Sequence, residues 1–206
     1  NLAQGILACL LSKGITKQGA LVQVSMIESA YDFQFEAITT FYKDGGLLPQ
    51  RTRANNAHAY LGAPYGIYRT ADGYLALAMG AIPTLGKLLD CEALVAYTVA
   101  ADAFDKRDEI KAILAAHLKS RSTRHWLAIL EPADIWCAEV LTWDDLRKHE
   151  GFKSLEMLQD VIMKDGFQYQ TTRCPIRIDG ERLCSTIGSP ALGQDNEAIV
   201  RELIEK

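Results

Sequence analysis

Apolar residues crowd the first twelve positions, NLAQGILACLLS, on almost every side of a helical projection, and Gly14 supplies a stop. A helix without a polar face is expected to be buried on most sides. At the start of a chain, this predicts a piece cut from a larger protein. ALVQVSM follows with strict alternation, Val22 and Val24 on one face, the pattern of a short strand. Ile27, Ala30, Tyr31, Phe35, Ile38 and Tyr42 then recur at helical spacing until Gly45-Gly46, predicting one helix with an aromatic stripe facing a core. LLPQRTRANN has no period and reads as a connector.

Two short apolar runs, Ile67-Tyr68-Arg69 and Tyr74 to Met79, flank Thr70-Ala71-Asp72-Gly73; an Asp-Gly step between such runs predicts a β-hairpin. Pro83 to Leu89 predicts a short helix. Residues 105–119 form an amphipathic helix with Ile110, Ile113, Leu114 and Leu118 on one side and charges on the other. STRHWLAIL is a further helix capped by Ser122 or Thr123 and closed by Pro132. DIWCAEV reads as a buried strand. TWDD at 142–145 resembles a capping box that starts a short helix ending at Gly151. Two extended runs surround Lys164-Asp165-Gly166, and a closing helix is capped near Asp195 or Asn196. Strands and helices mix throughout, so the fold class is α/β or α+β, without repeats.

Composition narrows the function classes. About half of the 206 residues are apolar, enough for one large domain or two small ones. The formal net charge of −4 and the absence of a basic run argue against a nucleic-acid partner. No stretch reaches the length of a membrane span, and residues 2–11 lack the basic flank and cleavage site of a signal peptide. Five cysteines, at 9, 91, 137, 174 and 184, are odd in number and show no C-x-x-C spacing. They read as reduced, buried thiols of a cytoplasmic protein, Cys9 and Cys137 as small core residues.

Motif chemistry is sparse. The chain has no G-x-G-x-x-G, P-loop or G-x-S-x-G, and its four histidines have no metal-ligand spacing, so no metal site is expected. His117 and His125 fall on or beside amphipathic helices as surface or half-buried residues. Asp144-Asp145 is explained by the preference for acids in a first helical turn. One stretch stands apart: RANNAHAYLGAPYG puts asparagines, a histidine, a tyrosine and a glycine before the hairpin without packing periodicity. It is either an interdomain connector or a surface held against a ligand.

Four stretches, in order, carry a resemblance: GILACLLSKGITKQGALVQVSMIESA, RANNAHAYLGAPYGIYRTADGYLALA, STRHWLAILEPADIWCAEVLTWDDL, and CPIRIDG with GSPALGQDNEAIVREL. Together they resemble the class III coenzyme A transferases, the CaiB/BaiF family, which includes formyl-CoA and carnitine-CoA transferases and alpha-methylacyl-CoA racemases. The chain departs from the family pattern at Lys17-Gln18-Gly19-Ala20, which keeps one glycine of a Gly-x-Gly-Gln turn, and at Gln23 in place of an aspartate. The loop that is glycine-rich in formyl-CoA transferases is Ala57-His58-Ala59-Tyr60-Leu61-Gly62 here, which argues against a formyl-CoA assignment.

The resemblance implies the C-terminal portion of a two-domain CoA-transferase fold. Residues 1–50 would end the large CoA-binding domain, 51–140 would form a small domain of hairpin and helices, and 141–206 would connect back to the large domain. It implies a catalytic aspartate upstream of residue 1, hence no catalytic or cofactor-binding residue in this chain, which alone is expected to be inactive. Substrates would be an acyl-CoA thioester and a carboxylic acid, with no prosthetic group, and the assembly an interlocked homodimer. His58, Ala59, Tyr60, Leu61 and Gly62 would belong to a loop that closes over the intermediates. A racemase-type isomerase and a non-catalytic binding or assembly module remain as alternatives.

Overall fold

A computed structural model describes residues 1–55 and 58–204; the chain divides into two units, Asn1–Val140 and Leu141–Lys206. In the first, β1 (Gly66–Arg69) and β2 (Tyr74–Leu77) form the hairpin, with Tyr68 opposite Leu75. β3 (Cys137–Glu139) adds antiparallel to β2, giving the order β1-β2-β3. Between β2 and β3 run α4 (Ile82–Leu88), α5 (Glu92–Val95), α6 (Asp102–Asp105), α7 (Arg107–Leu118) and α8 (Thr123–Leu130). Pro83 in the first turn of α4 gives up no hydrogen bond there.

Alternation puts Tyr68, Leu75 and Leu77 on the covered face of the sheet. They pack with Leu85, Leu94, Ile110, Leu114, Leu118, Trp126 and Leu130 in one core. Each buried leucine contributes about 2 kcal/mol. The polar tips within this core are satisfied: Tyr68 Oη donates to Pro64 O (2.6 Å) and Trp126 Nε1 to Leu118 O (2.8 Å). Thr70, Asp72 and Thr123 bind the hairpin turn to the start of α8. Asp72 Oδ1 accepts from the Thr123 amide (2.8 Å) and hydroxyl (3.2 Å), and the hydroxyls of Thr70 and Thr123 meet at 2.7 Å. Ser122 caps α8 by accepting from the His125 amide.

The first unit opens with α1 (Leu2–Thr16), α2 (Met26–Asp32) and α3 (Phe35–Lys43). Here several expectations are corrected. α1 runs past Gly14 and ends at Lys17, which takes the left-handed cap itself. No residue of α1, α2 or α3 is buried; Leu11 is 74% exposed and Phe33 88%. The aromatic positions therefore face no core among the described residues. The expected single helix is two, broken at Phe33-Gln34. Residues 20–25 form no strand, because no other described segment pairs with their backbone. β3 is a three-residue edge strand rather than a buried one, and the adjacent Trp136 is 65% exposed. Cys91 is buried, but Cys9 and Cys137 are half-buried and Cys174 and Cys184 exposed, so the thiols are not uniformly core residues.

The second unit begins with Thr142, whose hydroxyl accepts from the Asp145 amide as the capping pattern requires. The helix it starts breaks at His149 into α9 (Trp143–Lys148) and α10 (Glu150–Leu155). β4 (Leu158–Ile162) and β5 (Gln168–Thr172) are the two extended runs, paired antiparallel. β6 (Arg177–Ile178) and β7 (Glu181–Arg182) make a smaller hairpin, and α11 (Asn196–Ile204) follows. Buried Arg173 donates to Leu155 O and Glu156 O, carbonyls left free at the end of α10, and to Cys174 O, at 2.7–2.9 Å. The mixed helix-and-sheet class expected from the sequence is the class observed.

Candidate functional site

The stretch before the hairpin is anchored at its C-terminal end by close backbone approach. Gly62 passes so near α6 that a Cβ there would lie 2.6 Å from Ala103 O. The Ala63 amide donates to the same carbonyl at 2.6 Å. At Gly66 a Cβ would stand 2.2 Å from Asn55 O, so β1 begins directly against the backbone of the preceding segment. Glycine meets both constraints because it has no side chain to displace.

Residues 58–62 are all half-buried. The Tyr60 amide donates to His58 Nδ1 (3.2 Å), and the two rings lie 6.2 Å apart. The Tyr60 hydroxyl reaches Ala37 O of α3 at 3.4 Å, and Ala59 O accepts from Arg107 Nη1 at 3.1 Å. Leu61 and Gly62 complete the turn into Ala63-Pro64. His58, Ala59, Tyr60, Leu61 and Gly62 thus form one continuous surface feature, and none of the five pairs with a carboxylate to form a catalytic couple. Asn56 and Ala57, which begin the expected loop, lie outside the described residues.

Beside this loop is a cavity of about 730 Å³ lined by Leu47, Leu48, Gln50 and Tyr60 among others. Arg51, Arg53, Lys106 and Arg107 line it together with Asp44, Asp105, Asp108 and Glu109. Equal numbers of cationic and anionic groups give it no charge preference. Among the described residues no group of three or more His, Cys, Asp or Glu converges as a metal site would require. No described helix is long and apolar enough to cross a membrane.

What the sequence reading missed is the underside of the loop. As a charged residue Lys111 belongs by type to the solvated face of α7, yet it is 1% exposed. Its Nζ donates to Asn55 O (3.3 Å) and Thr52 Oγ1 (3.5 Å). Burial, with a smaller effect from the Arg107 charge, pushes its pKa down, partly offset by Asp108. The signal was present in the spacing: Lys111 shares a helix face with Leu114 and Leu118. Arg107 Nη2 bonds Gln50 O, its guanidinium lies 4.2 Å from the Phe104 ring centre, and the Arg53 amide donates to Asp108 Oδ1 at 2.8 Å. The segment expected as a plain connector is therefore irregular but tied down, with Thr52 buried.

Comparison with known proteins gives the context. The chain matches the orthorhombic crystal structure of Rv3272 from Mycobacterium tuberculosis with a TM-score of 0.69 and 22% identity, covering 95% of this chain and 52% of that one. It matches a CaiB/BaiF family protein from Brucella suis with a TM-score of 0.70 and 24% identity, covering 96% of this chain and 52% of that one. The chain thus spans about half the length of the solved structures that it matches, and at these identities the likeness shows the fold. No curated protein sequence matches it. The profile of CoA-transferase family III matches residues 1–196. Nearly the whole chain is covered by that match, and the chain belongs to CoA-transferase family III.

Proposed function

We propose that the chain is the C-terminal part of an acyl-CoA:carboxylate CoA-transferase, with its nucleophilic aspartate upstream of residue 1. The observation that carries this reading is the family match over residues 1–196, combined with coverage of about half of the solved relatives. On this reading residues 1–50 close the large CoA-binding domain, 51–140 form the small domain, and 141–206 return to the large one. The exposed apolar residues of α1 to α3, such as Leu10, Leu11, Tyr31 and Phe35, support further protein covering this surface. That protein is the upstream half and a second subunit of an interlocked, cytoplasmic homodimer.

In the proposed reaction the aspartate carboxylate attacks the thioester carbonyl, and the C–S bond breaks to give a mixed anhydride and CoA thiolate. The thiolate attacks the aspartyl carbonyl, releases the first carboxylate and leaves an aspartyl-CoA thioester. The acceptor carboxylate attacks that thioester, whose C–S bond breaks to give a second mixed anhydride and CoA thiolate; the thiolate then attacks the acceptor's carbonyl, forming the new acyl-CoA as the aspartate carboxylate leaves. Covalent catalysis divides one difficult exchange into several easier ones, each with an oxyanion that needs preorganised N–H donors. Water would hydrolyse both intermediates, so a cover is required. His58, Ala59, Tyr60, Leu61 and Gly62 supply it.

The test is an assay of the 206-residue chain beside the protein extended upstream, with a panel of acyl-CoA donors and carboxylate acceptors. The extended protein is expected to exchange CoA and the chain alone to be inert. Turnover by the chain alone overturns the upstream nucleophile. Exchange of the proton alpha to the thioester in D2O, without CoA transfer, replaces the transferase by a racemase-type enzyme.

A further inference from the structure

We propose that the first turns of α7 are a clamp that sets the position of the 58–62 loop, with Arg107 and Lys111 as positioning residues. The role in turnover rests on the transferase reading above; the clamp itself rests on geometry. Arg107 ties two separated points of the chain to one side chain, through Nη2 to Gln50 O and through Nη1 to Ala59 O (3.1 Å). Its rigid planar fork suits two carbonyls at once, and the Phe104 ring beneath holds the plane in place. One residue further on, Asp108 Oδ1 accepts from the Arg53 amide (2.8 Å), and one turn further Lys111 Nζ donates to Asn55 O and Thr52 Oγ1.

The base of this clamp is rigid. Ile110, Leu114 and Leu118 of the same helix are completely buried. The grip therefore refers the positions of Gln50, Arg53, Asn55 and Ala59 to the core rather than to solvent. Lys111 is the informative member. A buried ammonium held by two neutral oxygens is a costly way to fill space, and a methionine would fill the same slot without that cost. What the ammonium does that a methionine cannot is hold the carbonyl of Asn55. That residue has left-handed backbone (φ +51°), and its carbonyl is the one that abuts Gly66 at the start of β1. Lys111 thus fixes the chain before the loop, Arg107 holds the loop itself, and the contact of Gly62 with Ala103 fixes its end.

The experiment uses the upstream-extended protein and the variants Lys111→Met, Arg107→Met and Arg107→Lys. Three readouts are taken: thermal midpoint, hydrogen exchange by segment, and kcat and KM separately. Lys111→Met is expected to leave the midpoint nearly unchanged. It should speed exchange of residues 50–55 and 58–63 about tenfold, while α7 and β2 stay protected. It should lower kcat by about 10- to 100-fold with little change in KM for the acyl-CoA, as misplacement of a positioned group does. Arg107→Met should behave likewise, and Arg107→Lys, which keeps a donor but not the fork, should recover part of the loss. Unchanged exchange at 50–63 overturns the clamp, as does faster exchange spread equally through the core helices. Faster exchange at 50–63 with full kcat overturns the positioning role. A wild-type protein that turns over no acyl-CoA overturns the transferase reading and the positioning role together, while the exchange pattern still decides the clamp.

Discussion

Asp72 shows how one side chain joins two elements distant in sequence. Its carboxylate receives the Thr123 amide first, then the hydroxyls of Thr123 and Thr70, and these bonds hold its pKa below the usual carboxylate range. A depressed folded-state pKa stabilises the fold above the unfolded value and is lost as pH falls through the folded one. Asp72→Asn is therefore expected to melt a few degrees below wild type at neutral pH, and the gap should close as pH drops well below about 4. Thermal melts across pH check this; a gap that is constant with pH would remove the carboxylate's charge from the account. Lys111 teaches a second point at this scale. Its residue type announced a solvated face, and its position on the stripe of Leu114 and Leu118 announced burial. Position won, because a helix interior to the fold buries whatever its geometry aims inward, provided polar atoms find acceptors.

Among the elements, residues 58–65 have no regular structure, but the backbone contacts of Gly62 with Ala103 and of Gly66 with Asn55 constrain their course. Tyr60 and Leu61 lie between these constraints and are half-buried. In the upstream-extended protein, Tyr60→Ala and Leu61→Pro are expected to lower kcat or change acceptor preference while the melting midpoint moves little. If both kept full turnover and the same preference, the loop would be a connector. Gly62→Ala is a contrasting change, since the new methyl meets the Ala103 carbonyl at 2.6 Å. It should cost about 1–3 kcal/mol by denaturant titration, as overpacking does, whereas Gly19→Ala, with open space around it, should cost almost nothing.

For the whole molecule, the decisive feature is uneven coverage. The core lies within residues 63–130, whereas α1, α2 and α3 have no buried residue and carry many large apolar side chains that are exposed among the described residues. The upstream-extended protein is expected to run as a dimer by light scattering, with these helices protected from hydrogen exchange. A monomer would end the proposal of an interlocked assembly. The sequence by itself determined the hairpin, the amphipathic α7, the caps at Ser122 and Thr142, the mixed class and the family resemblance. Each of these rests on local signals: turn chemistry, periodicity, a hydroxyl near free amides, or motifs in order. Only the tertiary structure decided that residues 20–25 make no strand, that the Lys111 ammonium has Asn55 O and Thr52 Oγ1 as acceptors, and that the segment before the hairpin is held by α7. Strand formation, the acceptors of a buried charge and a bond from Arg107 to Gln50 depend on partners far along the chain. Local pattern carries no information about those partners until packing brings them together.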